Sequence, residues 1–437
     1  MHSSPTTHTF RHYLFFWIGQ LFSLLGSSVV RFVIIVWISF ETLSEIFVAL
    51  AFFLGALPMV IIPLLFGVYI DRWNRKITIA LTDSLQAFIT FLMILAFFTG
   101  VANYWLIILL NVLRGICQAI HFPTVNAIIP LMVPKKHLSR MNAVNYLFTG
   151  VIQVIGPIVG GLLVALVKIN PILEIEHILW IDIITFVIAI IPLLAISIPS
   201  ITSNLEQTKK ISFIEDFKYG LKILKSVKSF LILIIFISVI NFLNMPFATL
   251  MPLFVALNHF GVELDYTLVS ALLQIGIVIG SIIALAKKHW KHKELIILYS
   301  VFIGITGYSL LTFAPTGNFT LMGIGALIHA SMIPIANTMF LTILQTKVSP
   351  EAQGRVFSIV ISIAAAVTPL GMLFSGLVAN LVGIQLLFII VLYLQFVSIV
   401  ITWYFTNIKN IIKAESEQEI IKEEEEIKLR TEQIEYS

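Results

Sequence analysis

Apolar runs of about twenty residues recur along this chain from end to end, each long enough at about 1.5 Å per residue to cross a hydrocarbon layer of about 30 Å. Twelve can be counted, at approximately 13–40, 46–70, 77–99, 104–130, 141–167, 178–198, 230–257, 268–286, 295–314, 319–346, 356–380 and 386–406. No other feature restricts the fold as strongly. A backbone in lipid must satisfy its own hydrogen bonds, and runs of this length do so as helices. Composition agrees: 59% of residues are hydrophobic and only 11% charged, against roughly 25% charged in soluble domains. The expected fold is an all-α integral membrane protein with twelve transmembrane helices. The first run is too long for the apolar core of a cleavable signal and leads straight into further spans, so it is expected to stay in the membrane.

The basic residues orient the array. Of 27 Lys and Arg, 24 fall in the termini and alternate loops on one side, Arg31 and Arg114 lie inside spans, and Lys168 alone lies in the other loops. By the positive-inside bias both termini are expected to be cytoplasmic, in an inner or plasma membrane. The single cysteine, Cys117, excludes an intrachain disulfide, and its apolar surroundings suit inert packing.

The longest polar interruption, between the sixth and seventh spans, divides the chain into a bundle at 1–198, a linker at 199–229, a second bundle at 230–406 and an acidic tail at 407–437. Within the linker Ile214, Phe217, Leu221 and Leu224 form one helical stripe, with Lys218, Lys222, Lys225 and Lys228 largely off it. That pattern fits a helix lying on the inner leaflet or a solvated linker helix. The tail repeats Ile420, Ile427 and Ile434 at intervals of seven, a short coiled-coil signal for which a solvated helix is the simpler reading. The halves echo each other. Pro123 and Asn126 in the fourth span recur as Pro334 and Asn337 in the tenth, and Pro157 in the fifth as Pro369 in the eleventh. Two matches in register favour a duplication, hence two pseudo-symmetric six-helix bundles able to rock about a central site. Proline inside a span removes a backbone hydrogen bond and bends the helix.

Between the second and third spans the chain reads Gly67-Val-Tyr-Ile-Asp71-Arg72-Trp-Asn-Arg75-Lys76. This resembles the loop signature of the major facilitator superfamily, G-x-x-x-D-R-x-x-R-R/K. The resemblance implies that Asp71 sits against the start of the eleventh helix near Gly354 and Arg355, forming a cytoplasmic gate that latches the outward-open state. Gly156-Pro157-Ile-Val-Gly160-Gly161 in the fifth span resembles the G-P-x-x-G-G antiporter signature of exporting members. Its small residues permit close helix contact. Arg114, His121, Pro123, Asn126 and Pro134, with Pro350 to Ser358 in the second half, are similar to the macrolide-efflux and enterobactin-exporter branch of drug:proton antiporters.

A charge inside a span costs at least about 2.5 to 3.5 kcal/mol and is a functional candidate by default. The first half carries Arg31, Asp83, Arg114, His121 and Asp182, the second only His329 well inside a span. Protons, if they drive transport, are therefore expected on the first half. Arg31 and Asp182 both fall in the outward half of their spans, so three readings of Arg31 stand: an ion pair with Asp182, a cavity-facing group that receives substrate, or a side chain snorkelling to the interface. Arg114 and His121 are seven residues apart on one helix face, where His121 can relay a proton or simply pack. Asp83 is expected to pair with a loop cation such as Arg140. These residues mark the substrate or proton pathway.

Nothing resembles a metal site, a cofactor site or a hydrolytic constellation, and no P-loop is present to use ATP. The expected function is export of an amphipathic small molecule by alternating access with protons as coupling ion. Two arginines against few aspartates lean toward a neutral or anionic cargo. Rival readings are a lipid or lysophospholipid flipping transporter and a membrane scaffold or sensor acting through its tail. The expected partners are a small-molecule substrate, protons and the lipid bilayer, without nucleic acid, and a monomer is the default.

Overall fold

The structure, a computed structural model, describes residues 7–70, 73–170, 172–198, 228–287, 290–348 and 350–404. Twelve helices are long and apolar enough to cross a membrane. The first six are α1 (Thr7–Thr42), α2 (Glu45–Ile70), α3 (Arg75–Phe98), α4 (Tyr104–Asn126), α5 (Lys135–Ile169) and α6 (Ile175–Ala195). The second six are α7 (Lys228–Leu253), α8 (Glu263–Ala286), α9 (Lys293–Thr312), α10 (Phe319–Lys347), α11 (Pro350–Val382) and α12 (Ile384–Tyr404). The amphipathic stripe of the linker and the heptads of the tail lie outside the described residues.

Local chemistry sets where these helices begin and end. Asn74, Asn103 and Asn318 each accept a hydrogen bond from the backbone N–H three residues on, at 3.2, 3.0 and 3.1 Å, so α3, α4 and α10 start on satisfied donors. One residue separates α11 from α12, and Gly383 makes that turn at φ +85°, where a Cβ would be strained. Lys76 closes the other end of α6: its Nζ donates to the carbonyls of Leu194 at 2.9 Å and Ile196 at 2.6 Å. A cation on the last carbonyls of a helix is favourable by hydrogen bonding and by the dipole. Lys76→Met is expected to lower stability by about 1 kcal/mol. Thermal unfolding in detergent checks this, and an unchanged midpoint would show that the contact adds nothing.

The fourth and tenth spans, matched in sequence, differ in form. α10 runs unbroken through Pro334, whereas α4 stops at Asn126 and a separate turn of helix covers Ile129–Met132. The fourth span expected at 104–130 is present as Tyr104–Met132, with its helix interrupted after Asn126. Pro130 has no N–H to give the carbonyl of Asn126, so the ladder stops there.

The halves touch mainly through α2 against α11 and α5 against α8. Adding six to each number exchanges the two pairs, as a pseudo-two-fold axis requires. One apolar core draws on both halves, joining Val29, Phe32 and Ile34 of α1 to Phe247 and Leu250 of α7, Tyr266 of α8 and Phe388 of α12. Two further cores are each confined to one half. Tyr13, Phe16, Ile79, Met132 and Leu193 form that of the first, and Leu233, Ile297, Phe340 and Leu344 that of the second. The shared core lies at the helix ends far from the chain termini, and the separate cores lie at the terminal ends. Among the described residues the halves are therefore sealed together on the far side and parted on the terminal side.

Candidate functional site: a charged seam beside the cleft

Three polar residues of α1, Gln20, Ser27 and Arg31, fall within about 40° of one another around the helix axis. Each leads to a different part of the site.

Ser27 leads to Asp182 of α6. Arg114 of α4 donates from Nη1 to Asp182 Oδ2 at 2.8 Å, Thr90 of α3 donates to the same oxygen at 2.6 Å, and Ser27 donates to Oδ1 at 2.9 Å. Arg114 also donates to the Thr90 hydroxyl. Arg114 and Asp182 are both buried, at 7% and 4% exposure. Four helices thus meet on one carboxylate whose two oxygens are both occupied. This corrects the pairing of Asp182 with Arg31: the carboxylate sits against Ser27, one turn before Arg31, where the guanidinium of α4 reaches it.

Gln20 leads to a second carboxylate. Its Nε2 donates to Asp83 Oδ2 at 3.1 Å, and His121 Nε2 lies 3.0 Å from Asp83 Oδ1 and 3.0 Å from Gln20 Oε1. Both neighbours of that ring nitrogen are acceptors, so Nε2 carries a hydrogen and the ring's second proton goes to Nδ1. Asp83, His121 and Gln20 form one hydrogen-bonded group that joins α1, α3 and α4. The expected partner of Asp83, Arg140, is instead exposed on α5, because Asp83 faces inward toward α1 and α4.

Arg31 leads into open space. Its side chain is exposed, and among the described residues no hydrogen bond or ion pair holds it. It follows the stripe of two buried contacts and lies within electrostatic reach of Arg114, so it faces the interior rather than lipid. The next residue, Phe32, stacks on Tyr266 of α8 with ring centroids 5.5 Å apart and planes 4° from parallel. Arg31 therefore sits at the closed apex of the cleft, just beneath the seal between the halves.

The second half repeats the seam without charge. The helices that correspond to α1, α3, α4 and α6 are α7, α9, α10 and α12. Gln395 of α12 donates to Asn244 of α7 at 2.9 Å, and His329 of α10 donates from Nδ1 to the carbonyl of Gly304 in α9 at 3.1 Å. Around them a pocket is lined by Asn241, Asn244, Ser300, His329, Asn337 and Gln395 among apolar neighbours.

The glycines of the fifth span serve two interfaces. A Cβ on Gly156 would meet the side chain of Ser28, and one on Gly160 would come within 3.1 Å of Phe32 and 3.2 Å of the Val29 carbonyl, so both let α5 lie on α1. A Cβ on Gly161 would fall on the side chain of Thr267, across the boundary between halves.

Comparison with known proteins accounts for this architecture. The sequence model of the Major Facilitator Superfamily matches residues 16–369. The chain belongs to that superfamily. Macrolide efflux protein A of Streptococcus pyogenes is 26% identical over 371 residues, covering 84% of this chain and 89% of that protein. Among solved structures, a bacterial homologue of the iron transporter ferroportin, in an inward-facing state, matches with a TM-score of 0.66 at 14% identity, over 90% of this chain and 98% of that one. A bacterial homologue of the human lysosomal transporter Spinster, inward-facing and unoccupied, matches with a TM-score of 0.62 at 17% identity, over 86% and 84%. The protein is a membrane transporter and not an enzyme.

Within the facilitator fold the remaining sequence candidates take distinct places. Asp71 and Arg72 lie outside the described residues. Gly67 is helical in α2, and Gly354 and Arg355 are helical in α11. Arg75 opens α3 and Lys76 caps α6. Pro123 and Asn126 end α4, Pro334 and Asn337 lie inside α10, and Pro157 and Pro369 lie inside α5 and α11. Sequence reasoning missed Gln20, Ser27 and Thr90 in the first seam and Asn241, Asn244 and Gln395 in the second. The spacing of Gln20, Ser27 and Arg31 at i, i+7 and i+11 was the available signal.

Gly161 gives a direct test of the seal. Gly161→Ala is expected to force the far ends apart and cut transport several-fold, and Thr267→Gly in the same chain should relieve the clash and restore much of it. Dye efflux from cells reads both. Transport unchanged in the single variant would show that this contact does not matter.

Proposed function

We propose that this transporter exports an amphipathic small molecule, drug-, macrolide- or siderophore-like, by alternating access in exchange for protons. One observation carries the reading: the halves are sealed at one end and parted at the other, with ionisable groups beside the apex of the resulting cleft. The basic residues argue that the open side is cytoplasmic, so this state would take cargo from the cell interior. The Gly-Pro-Ile-Val-Gly-Gly sequence and the relation to a macrolide efflux protein argue for the outward direction. In this reading Asp83, His121 and Gln20 exchange the proton, and the tie between Asp182 and Arg114 holds four helices of the first half in register. The latch of Asp71 on the start of α11 would form in the opposite, outward-open state, with Gly354 and Arg355 as its other side.

The test is a comparison of drug and metabolite accumulation in cells expressing or lacking the protein, with and without a proton gradient. Export predicts lower accumulation of at least one compound in expressing cells, abolished when the gradient is collapsed. Equal accumulation throughout would overturn export, and a difference that survives collapse of the gradient would overturn proton exchange.

A further inference from the structure

Resting on the export reading above, we propose that the cargo is an amphipathic organic anion whose charged head is received by Arg31, with its uncharged polar part held by the amide-rich wall of the second half. A guanidinium keeps its charge at any physiological pH. At the apex of the cleft this charge has no counter-ion among the described residues. Asp182, which contacts α1 one turn before Arg31, is filled by Arg114, Thr90 and Ser27. Asp83 is held by Gln20 and His121, about 16 Å along α1 from Arg31 at the helical rise. The described spans of the facing half contribute no carboxylate near their middle, and the histidine there, His329, is buried against the Gly304 carbonyl.

A charge within a membrane span is ordinarily matched by a partner of opposite sign. Here the partner's place is open to the cleft. A ligand with a negative head would fill it, and one with a positive head would be repelled by the Arg31 guanidinium, which is discrimination by both attraction and repulsion. Arg31 presents a planar fork suited to carboxylate, sulfonate or phosphate oxygens. The pocket within the second half offers neutral hydrogen-bonding groups, Asn241, Asn244 and Asn337, among apolar Ile237, Met332 and Ile333. Such a lining suits a largely apolar body carrying amide or hydroxyl groups. The direction of transport fits as well. An inside-negative potential drives a monoanion outward, with an equilibrium bias of about 50-fold per 100 mV.

Four probes that share one aryl body test the assignment: naphthylacetate, naphthalenesulfonate, naphthyl phosphate and the uncharged naphthylacetamide. Binding to the purified full-length protein in lipid nanodiscs is measured by titration calorimetry. At least one anion should bind about 10- to 100-fold more tightly than the amide, the size of a hydrogen bond to a charged group. Arg31→Gln should bring that anion down to the affinity of the amide, and Arg31→Lys should keep part of the preference. Thermal unfolding of each variant confirms that it is folded. Equal affinities, preference for the amide, no binding of any probe, or a preference that survives Arg31→Gln would each overturn the proposal. Flux in proteoliposomes separates the two readings. Arg31-dependent binding without flux would sink export and leave the anion site, whereas flux of the amide without anion preference would sink the anion site and leave transport.

Discussion

Asp182→Asn should lower the stability of the protein by about 3 to 5 kcal/mol and abolish export, because it leaves the Arg114 guanidinium buried without its counter-charge. The carboxylate accepts hydrogen bonds from three side chains on three helices. An amide in its place offers a single oxygen and turns an N–H group toward one of those donors. Arg114→Gln should be comparably damaging from the other side, stranding a carboxylate held only by Ser27 and Thr90. Removing both charges with Arg114→Leu and Asp182→Leu should recover most of the stability, since apolar groups of similar bulk replace a buried ion pair at little net cost. Thermal unfolding in detergent and dye efflux from cells read the two effects separately. If the tie holds the working register of the first half, the double variant regains its unfolding midpoint and stays inactive. Recovery of both stability and efflux would show that the pair contributes packing alone.

How much of this could be read from the sequence depends on whether a feature is local. The twelve spans were legible because the length of an apolar run is a local property, and lipid leaves the backbone no alternative to helix. The duplication was legible because Pro123, Pro157, Pro334 and Pro369 keep their spacing. Pairing was not. Sequence gives the depth of Arg31 and Asp182 along their helices but not which helix faces which, and α4 brings Arg114 to the carboxylate first. Asp83 went astray for the same reason: its depth suggested a loop cation, whereas its direction around α3 aims it at α1 and α4. The break in α4 was hidden because the residues flanking Pro130 are themselves apolar and kept the run looking continuous. The amides of the second seam gave no signal, since Asn241, Asn244 and Gln395 are uncharged and their meaning comes only from converging on one pocket.

The arrangement of the two halves leads to a second large effect. Lys168 of α5 and Glu263 of α8 meet across the boundary on the far side, with Nζ 3.1 Å from Oε1. Lys168 is largely exposed, so the ion pair itself contributes little and is easily broken. Its value is as a position where the halves can be joined deliberately. The protein has one cysteine, Cys117, and it is buried in α4, so cysteines placed at 168 and 263 would be the accessible ones. A reducible bifunctional thiol reagent of about 10 Å should link Lys168→Cys to Glu263→Cys in the state seen here. Opening the far side requires those positions to separate, as do Gly161 from Thr267 and Gly376 from the Glu45 carbonyl. Export should therefore fall to background on linking and return when the linker is reduced, with either single-cysteine variant unaffected by the same reagent. A small hinge motion suffices for this loss, because packed interfaces shift between discrete arrangements rather than stretching continuously. Export at the full rate with the far ends joined would mean that cargo leaves by a route that does not part the halves, and alternating access about this cleft would have to be abandoned.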